Sequence, residues 1–161
     1  MKMQDTTVDA EPATGLERLY REHGARLWRA LLAFAGDREV ASDALAEAFA
    51  QALGRGAAIR TPLRWVWRSA FRIARGELKA RRRPPRSEPE RSYTPPDPDP
   101  EIVAALGRLP KGQRAAVVLH HVADYPVAEV ARILGSTPAA VRMQLTRGRR
   151  RLRQILEGSR D

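Results

Sequence analysis

Seven of the chain's twelve prolines fall within seventeen residues: Pro84, Pro85, Pro89, Pro95, Pro96, Pro98 and Pro100. Proline has no N–H to donate and biases the residue before it away from helix, so a stretch this rich in proline cannot be part of a helix bundle or a sheet interior. It holds one aromatic residue, Tyr93, and is weakly acidic, with Arg86 and Arg91 against Glu88, Glu90, Asp97 and Asp99. The expectation is a Pro-rich, semi-flexible linker over 84–100. The 161-residue chain must then fold as two small units on either side.

Both flanking blocks are basic. Residues 13–83 carry 15 Lys and Arg against 7 acids, and residues 101–161 carry 11 against 5, within a formal net charge of +10. That excess points to a polyanionic partner, with nucleic acid the usual one. No cysteine is present, which excludes disulfides, thiolate catalysis and Cys-ligated zinc. No apolar run approaches the ~18 residues of a membrane span, and the acidic, polar opening Met1–Pro12 does not fit a signal peptide. The expectation is a cytoplasmic protein that is not membrane-inserted, preceded by a disordered tail over 1–14.

The first block, 15–83, reads as three helices. Leu16, Leu19, Tyr20, His23, Leu27, Leu31 and Phe34 recur at spacings of three and four. Gly36 ends that helix and Asp37 can cap the next, whose apolar side is Val40, Ala44, Leu45, Ala48, Phe49 and Leu53. Gly54-Arg55-Gly56 stops it. Thr61-Pro62 opens a third helix to about Arg83, with Leu63, Val66, Trp67, Ala70, Phe71, Ala74 and Leu78 inward and Arg64, Arg68, Arg72, Arg75 and Lys79 on its flanks. Trp65 lies off the apolar face beside Arg64 and Arg68, where stacking on an exposed base is a reasonable role. The second block, 101–157, reads as four helices: Ile102–Leu109, Gln113–Val122, Pro126–Leu134, and one capped by Thr137 that runs to Ile155. No segment alternates with period two, so the fold class is all-α: a three-helix N-terminal domain and a four-helix C-terminal one.

Tyr125 to Arg153, YPVAEVARILGSTPAAVRMQLTRGRRRLR, has the form of a helix-turn-helix. Its second helix would enter the major groove with Ala139, Ala140, Arg142, Met143 and Thr146 facing base edges, and Arg142 could read guanine bidentately. Arg147, Arg149, Arg150, Arg151 and Arg153 follow with no acid among them and suit phosphates. His120, His121 and Asp124 lack a third metal ligand, and His23 suits packing. No catalytic group, metal site or cofactor is expected.

The same residues carry a resemblance. LPKGQRAAVVLHHVADYPVAEVARILGSTPAAVRMQLTRGRRRLRQIL resembles the C-terminal domain of the extracytoplasmic-function (ECF) class of RNA polymerase sigma factors, through Leu109-Pro110, Ala128 to Ala131, Leu134-Gly135 and Arg147 to Leu156. Leu19 to Arg29, Gly36 to Phe49 and Pro62 to Arg83 are similar to that family's promoter-melting domain. The resemblance spans about Leu16 to Leu156. It implies docking on core RNA polymerase through Asp43, Glu47 and Phe49, and contacts to the minus-ten promoter element from Arg60, Arg64, Trp65, Arg68 and Arg72, with the loop Leu53–Thr61 taking a flipped base. It also implies reading of the minus-thirty-five element through Ala139, Arg142, Met143, Thr146, Arg147, Arg149 and Arg150. Core polymerase and promoter DNA are the implied partners, and in many members an anti-sigma protein is a third. The chain departs from the family pattern at Ala46, Arg72, Gly76, Ala140, Met143 and Gln144, so no promoter sequence carries over. The alternative reading is a helix-turn-helix regulator that binds DNA on its own.

Overall fold

The computed structural model describes residues 11–80 and 98–160, the first four of them by backbone alone. Of the linker expected over 84–100, residues 84–97 lie outside the described residues, as do the tail over 1–10 and Arg81 to Arg83, while Asp99 and Pro100 open a helix instead. Helix α1 spans Glu11–Ala35, α2 Arg38–Arg55 and α3 Pro62–Ala80, with a 3₁₀ turn at Gly56–Ala58 between α2 and α3. Helices α4 (Pro100–Gly107), α5 (Lys111–Val117), α6 (Val127–Leu134) and α7 (Pro138–Gly158) follow. No strand occurs among the described residues. Helix α1 therefore starts within the segment read as tail, which extended to residue 14.

The α1–α2 turn is made as its sequence demands. Gly36 takes φ +66 and its N–H closes on the Leu32 carbonyl at 2.8 Å. Asp37 Oδ1 then accepts from the Glu39 and Val40 amides at 2.9 and 3.1 Å, satisfying two of the donors a helix start leaves open. Buried Ala41, Ala44, Ala48 and Ala52 on α2, with Ala70 and Ala74 on α3, let three helices approach closely around Leu27, Leu31, Phe34, Trp67 and Phe71. The rings of Phe34 and Phe71 lie 5.3 Å apart, and Trp67 stacks on Phe71 at 6.2 Å. Trp28 Nε1 donates to Ser42 Oγ at 3.1 Å.

Two sequence expectations need correction here. Tyr20 and Leu53, read as inward, are 54% and 56% exposed. No described element covers that end of the α1–α2 pair, and Tyr20 instead meets Phe49 edge-on at 5.1 Å. The segment read as one regular helix to Val122 leaves α-geometry after Val117 and finishes in a π-helical turn, Val118–Val122. Its last bonds run Ala123 N–H to Val118 O and Tyr125 N–H to Leu119 O, both 3.0 Å, with Asp124 at φ +57. The wider turn keeps Val117, Val118 and Leu119 in the core while turning the chain so that Tyr125 faces back toward α1 and α3.

The helix-turn-helix has the expected local chemistry. Gly135 is left-handed (φ +64), its amide reaching Ala131 and Arg132 carbonyls. Thr137 Oγ1 accepts from the Ala140 amide at 3.2 Å, and Pro138 takes the first helical position. Where α7 crosses α5, Gly148 is required: a Cβ there would lie 2.9 Å from Val117 Cγ2 and 3.4 Å from Gln113 Cβ.

The two halves are not separate. One continuous buried cluster runs from Leu16 through α1–α3 into Leu106, Leu109, Val118, Leu119, Val130 and Leu145, with α1 packed on α4 and the π turn, and α3 packed on α6. Arg114 pins this seam: its guanidinium donates to the Phe34 carbonyl at 3.0 Å and to the Gly107 and Leu109 carbonyls at 3.1 Å.

Gly148→Ala is expected to lower stability by up to about 2 kcal/mol, overpacking outweighing the gain in helix propensity. Adding Val117→Ala should recover part of the loss in denaturant melts. Strictly additive losses would contradict the close α5–α7 approach.

Candidate nucleic-acid interface

Helix α7 presents its sequence-expected residues on its outer side. Val141, Leu145 and Gly148 are buried, while Ala139, Arg142, Met143, Thr146, Arg147, Arg149 and Arg150 are all exposed. Met143, at 53% exposure, is an apolar side chain with no core role, of the kind that suits a thymine methyl. Thr146 Oγ donates to the Arg142 carbonyl at 3.0 Å, and Arg149 Nε donates to the Leu145 carbonyl at 3.3 Å.

The arginines divide into two groups. Arg142, one turn into α7, stands apart. Arg147, Arg150 and Arg151 line an open cleft of about 500 Å³ with Arg108, Gln113, Gln154 and Ile155. Arg108, from the end of α4, was not among the residues singled out from sequence. Only the packing of α4 and α5 against α7 brings it to the cleft. Arg149 does not line that cleft, and the pKa of His121 is lowered by burial first and then by the charges of His120 and Arg149. His120 Nδ1 lies 2.8 Å from the Tyr125 carbonyl, so that pair serves the turn.

In the N-terminal half, Asp43 and Glu47 share an exposed face of α2. Glu47 accepts from Gln51 Nε2 at 2.8 Å. Phe49 is not on that face: it turns toward Tyr20, and with Tyr20 and Leu53 it makes a separate, largely exposed apolar spot. Arg60, in the turn before α3, and Arg68 and Arg72 on α3 are exposed. Trp65 is half-buried against the core, with the Arg55 guanidinium 5.5 Å from its ring centroid.

Arg64 is different from its neighbours, because its guanidinium is already engaged. Its Nε and Nη2 grip the two carboxylate oxygens of Glu129 on α6, Nη2 to Oε2 at 3.2 Å. Arg132 adds a third contact to Glu129 at 3.1 Å. The Arg64 hydrogen bond, followed by that of Arg132, holds the Glu129 carboxyl below the usual carboxylate range against the opposing effect of burial, and Arg64 is raised in return. Beside them Trp67 meets the edge of Tyr125 at 5.0 Å, Arg26 lies 5.3 Å over the Tyr125 ring, and the Arg68 guanidinium lies against Gly135. Glu129, Tyr125 and Arg26 lie in segments that carry the family resemblance but were not among the site residues expected from sequence.

The family model for Sigma-70, region 4 matches residues 100–152, which span α4 to most of α7. The chain is 28% identical over 149 residues to the ECF RNA polymerase sigma factor SigM of Mycobacterium tuberculosis, covering 87% of this chain and 76% of the relative, in each of the strains Erdman and H37Rv. The fold is that of CnrH, solved in complex with the cytosolic domain of CnrY, with a TM-score of 0.70, 20% identity and 92% of both chains covered. It is also that of the Bartonella quintana sigma factor RpoE, solved in complex with the anti-sigma factor NepR, with a TM-score of 0.71, 16% identity, and 88% of this chain and 98% of the other covered. The helix-turn-helix lies within the segment that matches sigma-70 region 4. Over most of its length the chain is similar to ECF RNA polymerase sigma factors.

The Glu129 carboxyl faces Arg64 from α3, Arg132 one turn along α6, and the Tyr125 phenol. With its pKa depressed in the folded chain, its contribution is complete above the ordinary glutamate value of about 4.3 and is lost as pH falls through the depressed one. Carbon-detected NMR titration should find Glu129 below the ordinary value, and Arg64→Gln should move it upward. An unchanged midpoint in that variant would contradict the ion pair.

Proposed function

We propose that the chain, working in the cytoplasm, divides the sigma-factor task among three surfaces. The Asp43 and Glu47 face of α2 docks on core RNA polymerase, and Phe49, on its separate apolar spot with Tyr20, adds a second point of contact. Arg60 ahead of α3, with the Arg64, Trp65, Arg68 and Arg72 side of that helix, takes the minus-ten strand as it separates. The outer side of α7 reads the minus-thirty-five duplex, with Ala139, Arg142, Met143 and Thr146 toward base edges and Arg147, Arg149 and Arg150 on phosphates. Nucleotide transfer belongs to the polymerase, and nothing in this reading asks the chain for a catalytic group or a cofactor. An anti-sigma protein is a fitting third partner, as both solved neighbours were captured with a second protein bound.

The observation that carries the reading is α7 itself: a capped recognition helix within a sigma region-4 match, with its apolar side buried and its exposed side free of acids from Pro138 to Arg153. The test is run-off transcription with core polymerase on genomic fragments. Discrete transcripts that require this chain support the reading, and their absence at saturating chain overturns it.

Two narrower outcomes follow. Reversing charge at Asp43 and Glu47 together should weaken co-elution with core polymerase by about tenfold or more, whereas normal co-elution would remove that face from the docking surface. Arg142→Ala should flatten sequence preference at the upstream element, since a bidentate base contact supplies ~1–3 kcal/mol of discrimination. Arg149→Ala with Arg150→Ala should instead weaken holoenzyme binding to all sequences alike and shallow the salt slope by about 0.9 per lost phosphate contact. The assay is binding to a randomised upstream element at several salt concentrations, and the reverse assignment of effects would mean the helix lies differently in the groove.

A further inference from the structure

The cleft beside α7 holds chemistry that contacts to a DNA duplex do not use up. Four guanidiniums meet there, Arg147, Arg150 and Arg151 from α7 and Arg108 from the end of α4. No carboxylate lines the cleft, and none of the four arginines has an ion-pair partner among the described residues. The rest of the lining is uncharged: Gln113 and Gln154 bring carboxamides and Ile155 an apolar wall. Ile155 rests on the core, and Gln113 packs over Gly148 at the α5–α7 crossing, so that wall is fixed. Gln113 Oε1 is buried and accepts no hydrogen bond among the described residues.

A buried acceptor with no donor is a standing cost to the fold, and a ligand that donates there removes it. The backbone of duplex DNA cannot do so, because its phosphate oxygens only accept and its sugar lacks the 2′-hydroxyl. It would serve the arginines and leave Gln113 as it is. A ribonucleotide carries all three matching parts: phosphoryl oxygens for the guanidiniums, hydroxyl or amino donors for Gln113, and a flat base for Ile155. The cleft volume of about 500 Å³ falls within the ~300–1,000 Å³ of small-molecule sites. Its position also separates it from base reading. At ~100° of turn per helical residue, Arg147, Arg151 and Gln154 lie to one flank of the stripe formed by Ala139, Arg142, Met143 and Thr146.

We propose that this cleft is a binding site for a ribonucleoside polyphosphate, with Arg108, Arg147, Arg150 and Arg151 on the phosphoryl groups and Gln113 accepting from the ribose or base. Its consequence for DNA rests on the assignment of α7 to the upstream promoter element. Arg147 and Arg150 serve both ligands, so a bound nucleotide withdraws them from the duplex and leaves Arg142 in place. Upstream affinity then falls alike for all sequences, since phosphate contacts carry no sequence information. Arg108 and Gln113 belong to the nucleotide alone.

The test titrates the full chain by calorimetry at physiological salt with ATP, GTP, CTP and UTP, and with inorganic tripolyphosphate, which has the charge without ribose or base. At least one nucleotide is expected to bind one to one and about tenfold more tightly than tripolyphosphate. Arg108→Ala should weaken that nucleotide about tenfold, the effect of one charge-assisted contact. Gln113→Leu, similar in size and checked for folding by thermal melts, should narrow the preference for nucleotide over tripolyphosphate about fivefold. In the holoenzyme, the same nucleotide should lower affinity for the upstream duplex about fivefold with the wild-type chain and leave the Arg108→Ala holoenzyme nearly unaffected. The polymerase's own nucleotide sites are identical in the two and cancel. Tripolyphosphate binding as tightly as every nucleotide, or unchanged nucleotide affinity in Arg108→Ala, overturns the proposal. So does equal competition in the two holoenzymes. An Arg108→Ala holoenzyme that loses duplex affinity and salt slope with no nucleotide present overturns it too, and assigns the cleft to the DNA backbone. Failure of the sigma-factor reading shows differently, as absence of run-off transcripts with the wild-type chain itself, and leaves the titration of the free chain standing.

Discussion

Trp67 belongs to both halves of the molecule. Its indole is fully buried, stacked on Phe71 of its own helix and closed off by the edge of Tyr125 from the C-terminal bundle. A side chain of this size carries 150–250 Å² of buried surface, and an edge-to-face contact adds about 0.5–1.5 kcal/mol beyond area. Removing the C-terminal bundle would therefore uncover the centre of the N-terminal one. The indole N–H finds no partner among the described residues, a cost that a wholly apolar ring would avoid. The polar contacts at the seam, Arg64 with Glu129 and Arg114 with the Phe34 carbonyl, lie around this aromatic pair and fix its register. Partly exposed ion pairs contribute little stability by themselves, so they direct the closure and the aromatic surface drives it.

What could be read from the sequence was local. Gly36 with Asp37, Gly135, and Thr137 with Pro138 each act within a few residues, through a left-handed backbone or a capping oxygen, and each is found where its chemistry requires. The inward faces of α3, α6 and α7 followed from period alone. The π turn after Val117 left no such mark, because a run of apolar residues reads as helix whichever carbonyl each amide finds. Tyr20 and Leu53 have the right spacing for a core, but spacing cannot say that no third helix reaches that end of the bundle. Arg64 and Glu129 are 65 positions apart, on helices whose own periodicities are satisfied without the other. Nothing short of the tertiary packing brings them together, and the same is true of Arg108 at the arginine cleft.

The two basic surfaces differ in how their charge is held, and the difference follows from where acids sit. On α3 the stripe is tempered by an acid lent from α6. On α7 no acid lies between Pro138 and Arg153, and Arg108, Arg147, Arg150 and Arg151 surround one cleft. Like charges gathered this closely oppose the compact state. Salt screens part of that repulsion within a Debye length of about 8 Å, and a polyanion laid across the cleft would remove more of it, since a ligand that binds only the folded chain stabilises it. The helix that carries these arginines crosses α5 at Gly148, where a Cβ would lie 2.9 Å from Val117 Cγ2. The close-packed crossing fixes the helix that carries Arg147, Arg150 and Arg151 against the one that follows Arg108, so the positive charge is gathered where a phosphate backbone could meet it.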